Sequence, residues 1–170
     1  MSNATLYDDD IYAWSQDQAR IIRELRDRGL GLPNEFDLEH VAEEIEDLGM
    51  EQRYATESNL VQVLIHLIKL AALPGNDASR HWLEEADTFL DNASQRFRPS
   101  MRRAIDPEGL WKRARKRAAR ALEDAGSAVP LLPECLPFTL EEMVSPEADP
   151  RVMLETLVAI VDDLERKHKL

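Results

Sequence analysis

With one cysteine in 170 residues, the chain cannot close an internal disulfide, and the lone thiol of Cys135 points to a reducing compartment. Glycine is scarce: the six present build no phosphate-binding loop and no G-x-S-x-G turn, and there is no paired Cys-x-x-Cys. No apolar run approaches the roughly 20 residues that cross a bilayer. The densest stretch, residues 60–73, is interrupted by Gln62, His66 and Lys69. A basic-then-apolar leader is missing too, and the first charged cluster is acidic, Asp8-Asp9-Asp10. These absences predict a cytoplasmic protein with no membrane partner. No segment alternates apolar and polar residues between hairpin turns, so no sheet is expected, and no internal repeat is present.

What is present is charge. The net charge of −12 opposes general binding to nucleic acid or to an anionic membrane. The distribution is uneven, however. Residues 96–120 hold ten Lys or Arg against two acids, about +8, which leaves about −20 on the rest. Residues 37–51 form the counterpart, with seven carboxylates and no Lys or Arg.

Apolar residues recur every three to four positions, which predicts an all-α, single-domain bundle of about five main helices. The first begins at the Asp8–Asp10 cluster, turns Ile11, Trp14, Gln18, Ile21, Ile22 and Leu25 inward, and closes at Gly29. Residues 31–34 read as a turn. From an N-cap at Asp37, a long central helix runs over about 37–73, with Gly49 as its weak point for a kink. Its stripe is Leu38, Val41, Ala42, Ile45 and Leu48, resuming at Leu60, Val63, Leu67 and Leu70. A third helix spans 79–97. Asp106-Pro107 starts a fourth, with a capping carboxylate and Pro at the first turn, and Gly126 ends it. After a Pro-rich connection at 130–137, Thr139 and Glu142 form a capping box, and Asp149-Pro150 opens the last helix.

The sharpest local feature is the fourth helix. At 100° per residue Lys112, Arg113, Lys116, Arg117 and Arg120 share one face, opposite Trp111, Ala114, Ala118 and Leu122. This face suits phosphates or an acidic protein. Equally, it is a solvated surface, or one neutralised by the protein's own carboxylates. A second set is polar: Gln52, Thr56 and Asn59 interrupt the stripe of the long helix, with Arg53 and Glu57 alongside and His66 further on. Polar groups on a packed face need partners, at a cost of about 1–3 kcal/mol each when they lack them. They therefore line a small polar pocket or meet water. His66 is a general base or ligand in one reading, and a core histidine with hydrogen-bonded ring nitrogens in the other.

Metal chemistry has little to stand on. A di-metal site inside a bundle needs inward carboxylates and two Glu-x-x-His pairs. The chain offers Asp37-x-x-His40 once, facing outward, so no metal and no cofactor is assigned. Cys135 has no basic neighbour to depress its pKa and reads as structural. No catalytic residue is assigned, and the balance leans away from an enzyme.

Three ordered motifs resemble a known family. They are Tyr7-Asp8-Asp9-Asp10-Ile11-Tyr12-Ala13-Trp14 with Gln18-Ala19; Ala42-Glu43-Glu44-Ile45-Glu46-Asp47-Leu48-Gly49 with Glu57-Ser58, His66-Leu67 and Lys69; and Pro133-Glu134-Cys135-Leu136-Pro137-Phe138-Thr139-Leu140-Glu141. Together they resemble the bacterial domain of unknown function numbered 29. The resemblance implies an all-helical domain over about residues 6–145 and assigns no activity, substrate or cofactor. The remainder, 146–170, adds a helix that packs on the bundle or mediates self-association. The expected function is a small helical module that binds a protein partner or itself. A small-ligand-binding protein or enzyme using the polar stretch is the alternative, and nucleic-acid binding through the fourth helix is the weakest.

Overall fold

Asp10 stops one helix and starts the next. In the computed structural model, which describes residues 3–29, 33 and 35–168, its carboxylate accepts from the Ala13 amide at 2.9 Å. It thereby caps α2, Ile11–Asp27. An additional short helix, α1 (Asn3–Asp9), precedes it. Gly29 closes α2 at φ +63°, a left-handed conformation glycine adopts without strain. Of the turn predicted over 31–34, all but Pro33 lies outside the described residues.

The Asp37 carboxylate accepts from the His40 amide at 3.2 Å and caps α3. This helix runs unbroken from Leu38 to Ala72, 35 residues, about 50 Å at 1.5 Å per residue. Gly49 therefore does not break it. A Cβ there would lie 2.0 Å from Ser15 Oγ and 3.1 Å from the Tyr12 Cα. The glycine lets α2 and α3 approach closely.

The remaining elements are α4 (Ser79–Arg96), a 3-10 turn (Pro99–Arg103), α5 (Pro107–Asp124), α6 (Leu140–Val144) and α7 (Pro150–His168). Among the described residues there are seven α-helices, five of them 17 residues or longer, and no strand. The fold is all-α. Asp106 precedes α5 without the expected side-chain cap, although Pro107 does occupy the first turn. The Thr139–Glu142 capping box forms as predicted.

The helices group into two compact units that share α3. One unit comprises residues 1–55 and 96–105, with α1 and the 3-10 turn packed on α2. Its fully buried positions in α2 are the small residues Ser15 and Ala19, whereas Ile11, Trp14, Ile21, Ile22 and Leu25 are only half-buried. The other unit comprises residues 56–95 and 106–170, and it holds the larger core. There Leu60, Val63, Leu64, Leu67 and Ile68 are fully buried, and so are Trp111, Leu110, Leu122, Met143 and Leu157. In α7, Met153, Leu157 and Val161 face that core. Fully burying one such aliphatic or aromatic side chain is worth roughly 1.5–3 kcal/mol, so this cluster carries much of the unit's stability.

Along α3 the burial departs from the predicted stripe. Leu48 is 42% exposed, whereas Ala42, Gly49, Thr56, Val63 and Leu70 are all buried. The innermost line thus repeats every seven residues and is carried in its first half by the smallest side chains. Leu48 lies one position away from Gly49, about 100° around the helix, and faces outward.

Candidate functional site

The basic helix is built from its buried side outward. Trp111, Ala114, Ala118 and Leu122 face the core of the second unit as predicted, and the Trp111 indole donates to the Pro133 carbonyl at 3.0 Å. The Glu108 carboxylate accepts from the Leu136 amide at 3.2 Å, and Arg115 donates to the Glu134 carbonyl at 3.3 Å. These bonds tie the Pro-rich segment along α5.

With the inner face so committed, Lys112, Arg113, Lys116, Arg117 and Arg120 are all exposed. Arg113 pairs with Glu57 at 2.9 Å, and the Glu57 side chain is only 12% exposed. The side chains of the other four form no hydrogen bond or ion pair with any described residue. Beside Lys112 and Lys116, an open groove of about 510 Å³ has Val129, Pro130, Leu131 and Leu132 as its opposite wall. Val129 and Leu131 are 39% and 40% exposed. The surface is therefore a row of cations bordered by apolar side chains. Helical periodicity located the cations. The apolar wall was hidden, because the Pro-rich segment follows no period and only its bonds to α5 place it.

On α3 the acidic segment divides into two sets. Arg23 pairs with Glu46 at 2.7 Å and with Glu39 at 3.4 Å, and Arg26 also pairs with Glu39. Glu43, Glu44, Asp47 and Glu51 are exposed, and their side chains form no hydrogen bond or ion pair with a described residue. Asp37 and His40 lie side by side at the helix start. Their contact lowers the Asp37 pKa and raises that of His40, mainly through the hydrogen bond between them.

The six polar residues of α3 fall in both units. Gln52 accepts from Arg96 at 3.2 Å, and Arg53 donates to the Ala104 carbonyl at 2.9 Å, both within the first unit. In the second unit Thr56 is fully buried, Glu57 holds Arg113, and Asn59 is half-buried. His66 is buried, stacks on Phe89 with centroids 5.9 Å apart, and sets Nε2 3.5 Å from Glu85. His81 sets Nε2 3.4 Å from the same Glu85 oxygen, and Lys69 lies over the Trp82 ring at 4.0 Å. The expectation that both His66 nitrogens are hydrogen-bonded does not hold: Nδ1 has no partner among the described residues. Burial pushes the His66 pKa down, and nearby Lys69 adds to that effect. The i, i+4 spacing of His81 and Glu85 was visible in sequence, but their meeting with His66 depends on the packing of α3 against α4. Among the described residues no three His, Cys, Asp or Glu side chains are placed to hold one metal ion. Cys135 is free and exposed, so it fills no place in the core and the structural role expected for it is corrected. No helix among the described residues is long and apolar enough to cross a membrane.

The three sequence motifs now have physical roles. The first supplies the Asp10 cap, whose carboxylate also accepts from Ser100 Oγ at 2.7 Å. The second supplies Glu46 for Arg23 and Gly49 for the contact with Ser15. The third supplies the segment bound to Trp111 and the capping box of α6. The fold is similar to the crystal structure of an α-helical protein of unknown function from Rhodospirillum rubrum. That likeness has a TM-score of 0.82 at 28% identity and covers 89% of this chain and 96% of that one. No curated protein matches the chain. A family model does match residues 6–148, and the chain belongs to that family, described as Domain of unknown function DUF29.

Proposed function

We propose that this protein is a bacterial, cytoplasmic protein-interaction module that binds an acidic protein surface through the outward face of α5. One observation carries the proposal. In a chain of net charge −12, Lys112, Lys116, Arg117 and Arg120 stand exposed and find no counter-ion among the described residues, although carboxylates are abundant. Exposed charges of this kind add little to fold stability, but they steer encounter and select partners. The exposed apolar wall at Val129 and Leu131 supplies the desolvated contact that charge alone does not. The free, exposed thiol of Cys135 suits a reducing compartment. A ligand pocket around Gln52, Arg53, Thr56, Glu57, Asn59 and His66 has less support, since Gln52, Arg53 and Glu57 already bond other residues of the chain.

The test is affinity capture from the native host with wild type and with K116E/R117E, followed by binding of each captured protein in purified form. The variant is expected to lose an acidic partner while its circular dichroism stays unchanged. Capture of the same set by both chains rejects the proposal. Nucleic acid is the competing ligand for these cations. A gel shift at low salt that collapses steeply as salt rises would assign the face to it instead.

A further inference from the structure

The basic face of α5 and the acidic face of α3 share one spacing. Lys112, Arg113, Lys116 and Arg120 stand at positions i, i+1, i+4 and i+8 of their helix, and Glu43, Glu44, Asp47 and Glu51 stand at the same positions of theirs. Each set spans about 12 Å along a helix axis, from eight residues at 1.5 Å. At 100° per residue the two sets occupy equal angular sectors. Apart from Arg113, which Glu57 holds, neither set is paired inside the chain among the described residues. Glu39 and Glu46 are neutralised by Arg23 and Arg26, and Arg113 by Glu57. The side chains of Lys112, Lys116, Arg117, Arg120, Glu43, Glu44, Asp47 and Glu51 form no hydrogen bond or ion pair with a described residue.

Both faces also carry apolar surface among their charges. Leu48 is 42% exposed between Glu44, Asp47 and Glu51, and Val129 and Leu131 are exposed beside Lys112 and Lys116. Exposed apolar side chains bordered by charge are a feature of protein interfaces.

We infer that the acidic face of α3, centred on Asp47 and Leu48, docks on the basic face of α5 of a second copy of this chain. This deepens the proposed function by naming the acidic surface. The contact is heterologous, with different faces on the two copies, so each copy in a pair retains one free face and association continues beyond the dimer unless a ring closes. Its strength falls with salt, because exposed pairs are screened over about 10 Å at 0.1 M.

Sedimentation velocity of the full chain tests it directly. Wild type is expected to sediment faster as its concentration rises to about 200 µM in about 50 mM salt, and to return to monomer in about 0.5 M salt. K116E/R117E and D47K/E51K are each expected to weaken association at least about tenfold, the equivalent of about 1.4 kcal/mol. Mixed one to one, they restore it, because each supplies the face the other lacks. A wild-type monomer under all these conditions overturns the inference, as does wild-type behaviour of either variant or failure of the mixture to associate. If wild type is monomeric while K116E/R117E still loses a captured acidic partner, self-association is overturned and the role of the α5 face stands. If K116E/R117E alters neither readout, both are rejected.

Discussion

An extra methyl group at position 49 would have nowhere to go. By helix propensity alone, Gly49→Ala should stabilise α3 by about 1 kcal/mol. Against that, the new Cβ meets Ser15 Oγ at 2.0 Å and the Tyr12 backbone at 3.1 Å, and overpacking of this kind costs about 1–3 kcal/mol. Contact with backbone cannot be relieved by a rotamer change, so G49A is expected to lower the melting temperature. S15A/G49A should recover part of the loss, because it removes the closest atom. A stabilised G49A would show that α2 and α3 are not held at this distance. Histidines offer a second test at the same scale. His40, beside Asp37, titrates above the ordinary imidazole value of 6.5, whereas buried His66, beside Lys69, titrates below it, even with Glu85 opposing the shift. The unfolded chain therefore binds more protons at His66 than the folded chain between its lowered pKa and 6.5. The stability due to a neutral His66 is complete above 6.5 and is lost as pH falls through the folded value. An NMR titration should place the two imidazoles on opposite sides of 6.5. A shared midpoint would contradict the burial of one and the pairing of the other.

Among the elements, α3 shows what a sequence discloses and what it conceals. Its length, its cap at Asp37 and the core role of Val63 and Leu67 were all legible from periodicity. Its inner line over the first half was not. A hydrophobicity count favours Leu48 over Gly49, but close helix–helix contact favours the smallest side chain. In α2 the same rule makes Ser15 and Ala19, rather than Ile21 or Leu25, the fully buried positions. For α5 the periodicity served better: the buried residues Trp111, Ala114, Ala118 and Leu122 and the exposed cations fell on the faces expected. The groove beside those cations was not legible, because Val129–Leu132 is positioned by long-range bonds such as Trp111 to Pro133. The meeting of His66, His81 and Glu85 was hidden for the same reason.

Across the whole molecule, charge is sorted rather than scattered. The chain neutralises Glu39, Glu46 and Arg113 internally and leaves outward the acids of α3 and the cations of α5. If those cations serve a partner, the fold should not depend on them, whereas Arg113 should matter to it. Arg113→Glu sets a second carboxylate against the nearly buried Glu57. The expected cost is about 1–2 kcal/mol, since Arg113 itself is half exposed, or roughly 4 °C in a chain of this size. Thermal unfolding followed by circular dichroism, with wild type, K116E/R117E and R113E compared side by side, reads this difference in one measurement. K116E/R117E is expected within about 1 °C of wild type and R113E several degrees below. A double variant that melts as low as R113E would contradict it, because the outer cations of α5 would then be holding the fold together.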